Sequence, residues 1–513
     1  MNEDARSRPA APKPAQLPAG GGGYRATLAA ISLIPFVVLA TFNSAGYRYG
    51  ASDQAFYLPA VLDRLNPALF PRDSDLIASQ ATLTLVDDAI AALARAVPVS
   101  LPVLFGILYV VALAFLVWGA LSIAGRLYRT RWAAVALLAA LTLRHAITKT
   151  GANTLEGYFH PRQLAFGFGI LALAAFLRRG LVSPVLLLLG AAIVHPTTAL
   201  WFIAWLGVAV IVVEPRLRAP LALVMASGAI LGVWALIWGP LIGRLEPMDP
   251  AWLDTLASKD YLFPLEWPAH AWLLNLAYAP LIVWIHRRRR AAGVLDAREK
   301  GLVAGCLSLV AIFAAALMLH PWHIALAIQL QPARVFWMLD FLATVYVVWL
   351  LAEGPNQRPR RAAAIASVLV LLSAARSAYV AVVRFPERSF ATLDIPDDDW
   401  GRVMAWARSS TPVSGHWLAD PVHAALYGTS VRVAGHKDVF VEEIKDSAIG
   451  MYSRTVAMRT RERMEALGRF GGLSAADARD LSARYGLDYL VTERPLELPV
   501  AFRSGPIVVY QLR

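Results

Sequence analysis

Cysteine and charge are scarce in this sequence. A single cysteine, Cys306, stands among 513 residues, so no disulfide forms within the chain and every part of it must hold together by packing. Charged residues make up 16% against 58% hydrophobic, and the mean hydropathy is +0.52. That balance excludes an ordinary soluble globular protein. No sequence repeat is visible that would divide the chain into two related halves. The net charge of +12 does not point to nucleic acid, because the basic residues fall in short clusters between apolar runs, as they do in membrane proteins.

What is present is a series of about eleven apolar stretches of near-membrane length, at 25–44, 99–124, 132–147, 162–178, 182–197, 199–214, 220–243, 271–286, 301–319, 335–353 and 361–383. They predict a polytopic all-α membrane protein, with a transmembrane region over 24–384. Residues 1–23, rich in Pro, Ala and Gly, cannot bury a core and read as a disordered tail. The polar leader marks the first apolar run as an uncleaved span. Lys and Arg gather in the tail and at Arg126/Arg129/Arg131, Arg178/Arg179, Arg216/Arg218, Arg287 to Arg290 and Arg358/Arg360/Arg361. These loops are expected to be cytoplasmic, and the alternate loops and the C-terminus extracytoplasmic, in a multi-pass inner-membrane protein. His145, His160, His195, His270, His320 and His323 then all fall in or beside outward loops.

The first outward loop, 45–98, is the richest in chemistry. Ser52 is placed to cap a helix beginning at Asp53, with Leu58, Val61, Leu62 and Leu65 along one face. Such a helix would lie on the membrane surface, its N-terminal end favouring an ionised Asp53. Leu83, Val86, Ile90, Leu93 and Val97 predict a second amphipathic helix. Asp73-Ser74-Asp75 between them matches a short metal-ligand pattern, but the match is weak and a solvated turn is the favoured reading. Later loops carry Lys149, Glu156, Tyr158, His160 and Arg162, then His195-Pro196, then His323 and Arg334. A cation beside an imidazole suits a phosphate. Asp340 falls inside an apolar stretch, where it needs a partner or a cavity. Residues 385–513 have the composition of a soluble domain. Helices over 397–410, 446–469 and 474–485 alternate with short strands at 416–419, 431–433, 489–492 and 507–512, which predicts a small α/β lobe. It carries no phosphate loop, zinc pattern or nucleophile elbow and is assigned no chemistry.

A span, a long outward loop opening on an Asp, many further spans and an outward C-terminal α/β lobe together resemble the GT-C superfamily of integral-membrane glycosyltransferases, with YGASDQAFYLP as the local motif. The resemblance implies an inverting transferase that moves a sugar from a polyprenyl-phosphate lipid to a glycan, lipid or protein acceptor. It implies a base or acceptor-positioning role for Asp53. Lys149, His160, Arg162, His195 and Arg334 become candidates for the donor phosphate, and Gln54, Tyr57, Glu156, His323 and Asp340 for acceptor or supporting roles. Many members carry a second acid beside the first, where this chain has Gln54. No organic cofactor is implied, and a divalent metal is compatible with the family. Two other readings fit the residues: a transporter or flippase of an envelope lipid or solute working through Asp340, and a non-catalytic scaffold of envelope assembly.

Overall fold

The computed structural model describes residues 22–81, 84–355 and 359–513. The expected tail up to residue 21, Leu83 and Arg358 lie outside them. Each of the eleven apolar stretches forms a helix, beginning with Gly22–Asn43 and ending with Pro359–Tyr379. Among the described residues, six helical segments are long and apolar enough to cross a membrane: Leu101–Leu127, Pro196–Val213, Pro215–Ile237, Glu299–Trp322, Ala325–Ala352 and Pro359–Arg384. That is fewer than the eleven expected. Arg131–Thr142, Pro161–Leu177 and Val182–Val194 are apolar but shorter, and Ala269–Ala291 ends in a run of arginines.

Burial sorts these helices by position. Val335–Ala352 is enclosed by its neighbours along nearly its whole length, whereas Arg218–Ile237 has no buried residue. The main core joins Phe166, Trp337 and Trp205 with residues of most other helices. Small residues permit close approach: a Cβ on Gly167 would fall 2.7 Å from Phe115, and one on Gly119 2.8 Å from Ile170.

The first loop contains three helices, Gln54–Leu65, Ser74–Ala81 and Val86–Ala96. The first does not lie on a surface. Leu58, Ala60 and Val61 are buried, the last two within cores shared with the spans and with Ile449 and Val456 of the C-terminal lobe. Ser52 has a left-handed backbone (φ 52°) and does not cap; Asp53 occupies the capping position without using its side chain there. The second, Ser74–Ala81, was not expected; it begins in Asp73-Ser74-Asp75, which is neither a metal pair nor a solvated turn. Asp73 is fully buried, 2.7 Å from Arg432 Nε and also paired with Arg459, both in the lobe.

The lobe is built on a five-stranded sheet in the order 438–439, 416–418, 489–492, 507–511, 500–504, parallel across its first three strands and antiparallel across the last two. The strand expected at 431–433 is a single wide helical turn, Val431–Gly435. The long helix expected over 446–469 is broken into Glu443–Gly450 and Arg454–Leu467, the second capped by Ser453. Ser474 and Asp477 form the capping box their spacing predicts. Tyr47–Arg48 pairs in parallel with Ala391–Thr392, stitching the start of the first loop to the connection that leads into the lobe.

Candidate functional site

Between the helix ends, the first loop and the lobe lies a cavity of about 260 Å³. Its walls include Asp53 and Tyr57 from the first loop, His160 and Arg162 from the start of helix Pro161–Leu177, and His195 from the hinge between two helices. Gln331 and Arg334 come from the turn before Val335–Ala352, and Met451 and Tyr452 from the lobe. Four of the five residues expected to meet a phosphate are therefore brought together beside Asp53.

Local sequence explains how each is held. Pro161 and Pro196 occupy first helical positions, where the missing N–H costs nothing, and His160 and His195 cap those helices with their imidazoles. His160 Nδ1 accepts the backbone N–H of Arg162 at 3.2 Å. The ring proton is thereby assigned to Nε2, which faces Asp53 Oδ2 at 3.4 Å. Burial pushes the His160 imidazole down to about 3, Arg162 adding to the effect against the pull of Asp53, so the ring is a neutral donor at neutral pH.

Asp53 is the acid that lines the cavity. Its Oδ1 accepts from Lys445 Nζ at 2.9 Å, and its Oδ2 lies 3.4 Å from the Tyr158 hydroxyl and 3.7 Å from Arg162. The side chain keeps 37% of its surface open to the cavity. Burial among protein atoms would raise the carboxyl, but Lys445 first, then His160 and Arg162, outweigh it and hold it well below the usual carboxylate range. Burial raises the hydroxyls of Tyr57, Tyr261 and Tyr452, the second to about 12, so all three remain neutral hydrogen-bond donors.

The two arginines differ. Arg162 is buried and donates to Glu156 at 2.7 Å, yet its Nε has no partner among the described residues. Arg334 has no side-chain hydrogen bond or ion pair among the described residues at all, and its buried Nε is likewise unmet. Both Nε–H groups are enclosed without a partner among the described residues, at a cost to the fold.

The remaining candidates lie elsewhere. Lys149 pairs with Asp260, half-exposed, and does not line the cavity. Gln54 is buried, accepting from Gly50 N–H at 2.7 Å and donating to the Phe159 carbonyl at 3.2 Å, so it braces the segment before Asp53. Glu156 supports Arg162. His323 sits exposed in a left-handed turn. Asp340 belongs to a separate buried cluster, 2.9 Å from His145 Nδ1 and 3.1 Å from the Tyr278 hydroxyl. Sequence reasoning missed Lys445, Tyr452 and the whole lobe wall, because nothing local marks residues that a distant domain delivers.

Among the described residues no three His, Cys, Asp or Glu side chains gather so as to hold a metal ion. The acids here do not fit a divalent cation: Asp53 is met by Lys445 and Arg162, and Glu156 by Arg162. No protein-family model and no curated protein matches the chain.

Proposed function

We propose that this protein is an integral-membrane glycosyltransferase of the GT-C type, moving a sugar from a polyprenyl-phosphate donor to a hydroxyl acceptor. The observation that carries this reading is the cavity itself, where an ionised Asp53 shares walls with two arginines, one of which, Arg334, has no side-chain partner among the described residues. The positive-inside pattern supports an extracytoplasmic site in the inner membrane, with the shorter apolar helices and Ala269–Ala291 crossing alongside the six long segments and the C-terminal lobe outside. A lipid-linked donor suits that placement, since its chain partitions into the bilayer, each buried CH₂ contributing about 0.8 kcal/mol.

In this reading the donor phosphate lies against Arg162 and Arg334, with the neutral His195 beside it. The acceptor hydroxyl hydrogen-bonds to Asp53. As its oxygen bonds to the anomeric carbon, the bond from that carbon to the phosphate oxygen breaks, and the electron pair leaves with the polyprenyl phosphate. The hydroxyl proton passes to Asp53. A carboxylate held this low is a weak base, so it takes the proton late, once bond formation has made the hydroxyl acidic. The arginines stabilise the charge that develops on the leaving phosphate.

The test is mass spectrometry of lipids retained by the purified protein and by Asp53→Asn. Spent polyprenyl phosphate on the unmodified protein and intact polyprenyl-phosphate sugar on the variant would support the assignment. Bulk phospholipid alone on both would overturn it.

A further inference from the structure

Arginines gather at the end of the last span, where the first loop begins and the lobe is tethered. Three helix ends meet there. Asn43, closing Gly22–Asn43, donates through Nδ2 to the Ser373 hydroxyl at 2.9 Å, and the Thr142 hydroxyl, closing Arg131–Thr142, lies 2.6 Å from the same oxygen. Arg144 follows soon after Thr142, and Arg376 stands one turn beyond Ser373. Helix Pro359–Tyr379 then continues as one wide turn, Val380–Arg384. Arg384 and Arg388 both lie against the Phe385 ring, their guanidinium carbons 5.3 and 3.8 Å from its centre. The strand Ala391–Thr392 beyond them pairs with Tyr47–Arg48, which brings Arg48 alongside. Arg376 is close enough to Arg144 and Arg384 to feel their charges, Arg388 to feel Arg384, and Arg48 to feel Arg388.

Little in the fold balances this charge. Glu387 pairs with Arg388 at 3.5 Å but is 65% exposed, where an ion pair contributes little. Arg376 donates to the carbonyl and side-chain amide oxygens of Asn43, at 2.8 and 2.7 Å, which are uncharged. Arg48, Arg144 and Arg384 make no side-chain hydrogen bond or ion pair among the described residues, and Arg144 and Arg384 are exposed. Like charges drawn from the first loop, from the end of Arg131–Thr142 and from the last span repel one another unless an anion lies among them. Membrane topology does not account for the cluster. The span Pro359–Arg384 already carries Arg360 and Arg361 at its other end, and the topological bias favours basic residues at one end of a span only. Tyr379, Val382 and Val383, beside the arginines, are exposed. Apolar and aromatic side chains interleaved with cations suit the boundary of a bilayer, so the anion that fits here is one the membrane supplies.

We propose that Arg48, Arg144, Arg376, Arg384 and Arg388 form a binding surface for the phosphate of anionic phospholipids in the leaflet on the lobe's side. A zwitterionic headgroup brings no net charge, so the surface prefers phosphatidylglycerol to phosphatidylcholine. The bound lipid covers the joint between Tyr47–Arg48 and Ala391–Thr392, just ahead of Asp53, and so couples bilayer composition to the seating of the first loop and the lobe. The proposal does not depend on what the cavity binds.

The experiment uses the full chain as Val383→Cys carrying a fluorophore. Val383 is exposed beside Arg384, whereas Cys306 is buried and stays unlabelled. The protein is reconstituted in phosphatidylcholine vesicles containing either phosphatidylglycerol or phosphatidylcholine with a nitroxide quencher close to the headgroup. Nitroxide phosphatidylglycerol should quench in excess, its affinity exceeding that of phosphatidylcholine by about fivefold or more, the worth of at least one arginine against an anionic headgroup. Arg144→Gln should lower the excess, and Arg384→Gln with Arg388→Gln should remove most of it. Quenching by nitroxide phosphatidylcholine should hold steady throughout, which reports a folded protein with its label in place. Arg144 is exposed and has no side-chain partner among the described residues, so its substitution leaves the fold intact and decides the matter even where the double variant does not fold. Equal quenching by the two lipids, or an excess unchanged by Arg144→Gln, would overturn the proposal. So would soluble polyphosphate removing the excess where chloride at the same ionic strength does not, since the patch would then serve a polyanion in solution.

Discussion

Lys445 donates a hydrogen bond to Asp53 at 2.9 Å across 392 residues of chain. One residue belongs to the first loop and the other to the C-terminal lobe, so the acid at the centre of the cavity has its charge set by a separate part of the protein. Lys445 is nearly buried, and it is the foremost cation opposing the effect of burial on Asp53.

Lys445→Met should therefore raise the Asp53 carboxyl. In the proposed reaction the carboxylate form takes the proton, and it is lost as pH falls through the folded-state value, so the acid limb of the pH–rate profile should move to higher pH. With Lys445 in place that limb lies below the usual carboxylate range. A profile unchanged in the variant would show that Lys445 does not govern Asp53. A lowered rate with no displacement of the limb would assign Lys445 to packing alone.

A second prediction concerns the buried ion cluster that docks the lobe. Arg432 meets Asp73 of the first loop at 2.7 Å, Asp446 at 2.6 Å and Glu442 at 3.4 Å, all of them buried. Burial raises the Glu442 carboxyl to about 7, Arg432 and Lys445 opposing the effect and Asp446 adding to it. His423 Nε2 also faces it, at 4.0 Å. A raised carboxyl contributes stability that is fully present below its unfolded value, near 4.3, and is lost as pH rises through about 7. Thermal unfolding of Glu442→Gln should lack the part of the pH dependence that falls in this window. Arg432→Met, which strands Asp446 and leaves Asp73 to Arg459 alone among its close partners, should cost about 3–5 kcal/mol by the same measurement.

The apolar stretches and their helical form were legible in the sequence because hydropathy and length report directly on burial in lipid. So was the gathering of His160, Arg162, His195 and Arg334, since each sits at a Pro-marked helix start or just before a span. Asp73 was misread because burial of a lone acid is decided by Arg432 and Arg459, more than 350 residues away. The break after Gly450 was missed for a similar reason. The connection is set by the Trp252 indole donating to the Gly450 carbonyl at 2.8 Å and by Gln329 donating to the Met451 carbonyl at 3.0 Å. Tertiary partners overrode a local helical pattern there. Lys445 could not be found from sequence at all, because the helix carrying it looks like any other polar helix in a soluble lobe.

Asp340 provides a third prediction, one that separates structure from transport. His145 Nδ1 faces Asp340 Oδ2 at 2.9 Å and its Nε2 faces the Ala140 carbonyl at 3.0 Å. Both partners accept, so both ring nitrogens donate and the imidazole carries a charge that Asp340 balances. Asp340→Asn should cost about 3–5 kcal/mol of stability by leaving that charge unpaired. His145→Gln combined with Asp340→Asn should cost less than the sum of the two single changes. Folded Asp340→Asn should retain glycosyl transfer. A stable Asp340→Asn protein that loses all activity would favour a proton relay through this cluster instead.

The last prediction turns on the difference between the two arginines. Arg162 is tied to Glu156 at 2.7 Å inside the protein, so Arg162→Ala strands a buried carboxylate and should lower stability by about 3–5 kcal/mol. Arg334 has no side-chain partner among the described residues; it is part-buried, with its Nε enclosed, and lies close enough to Arg162 to feel its charge. Arg334→Met keeps the length of the side chain and removes that repulsion, so the unfolding temperature should hold or rise. Farnesyl phosphate affinity should nevertheless fall about ten- to a hundredfold, the worth of a hydrogen bond between charged groups. A residue that weakens ligand binding on removal without weakening the fold is there for the ligand. Unfolding and binding measured on the same Arg334→Met sample decide the matter: loss of both together would make Arg334 part of the scaffold, and loss of neither would move the phosphate off this wall of the cavity.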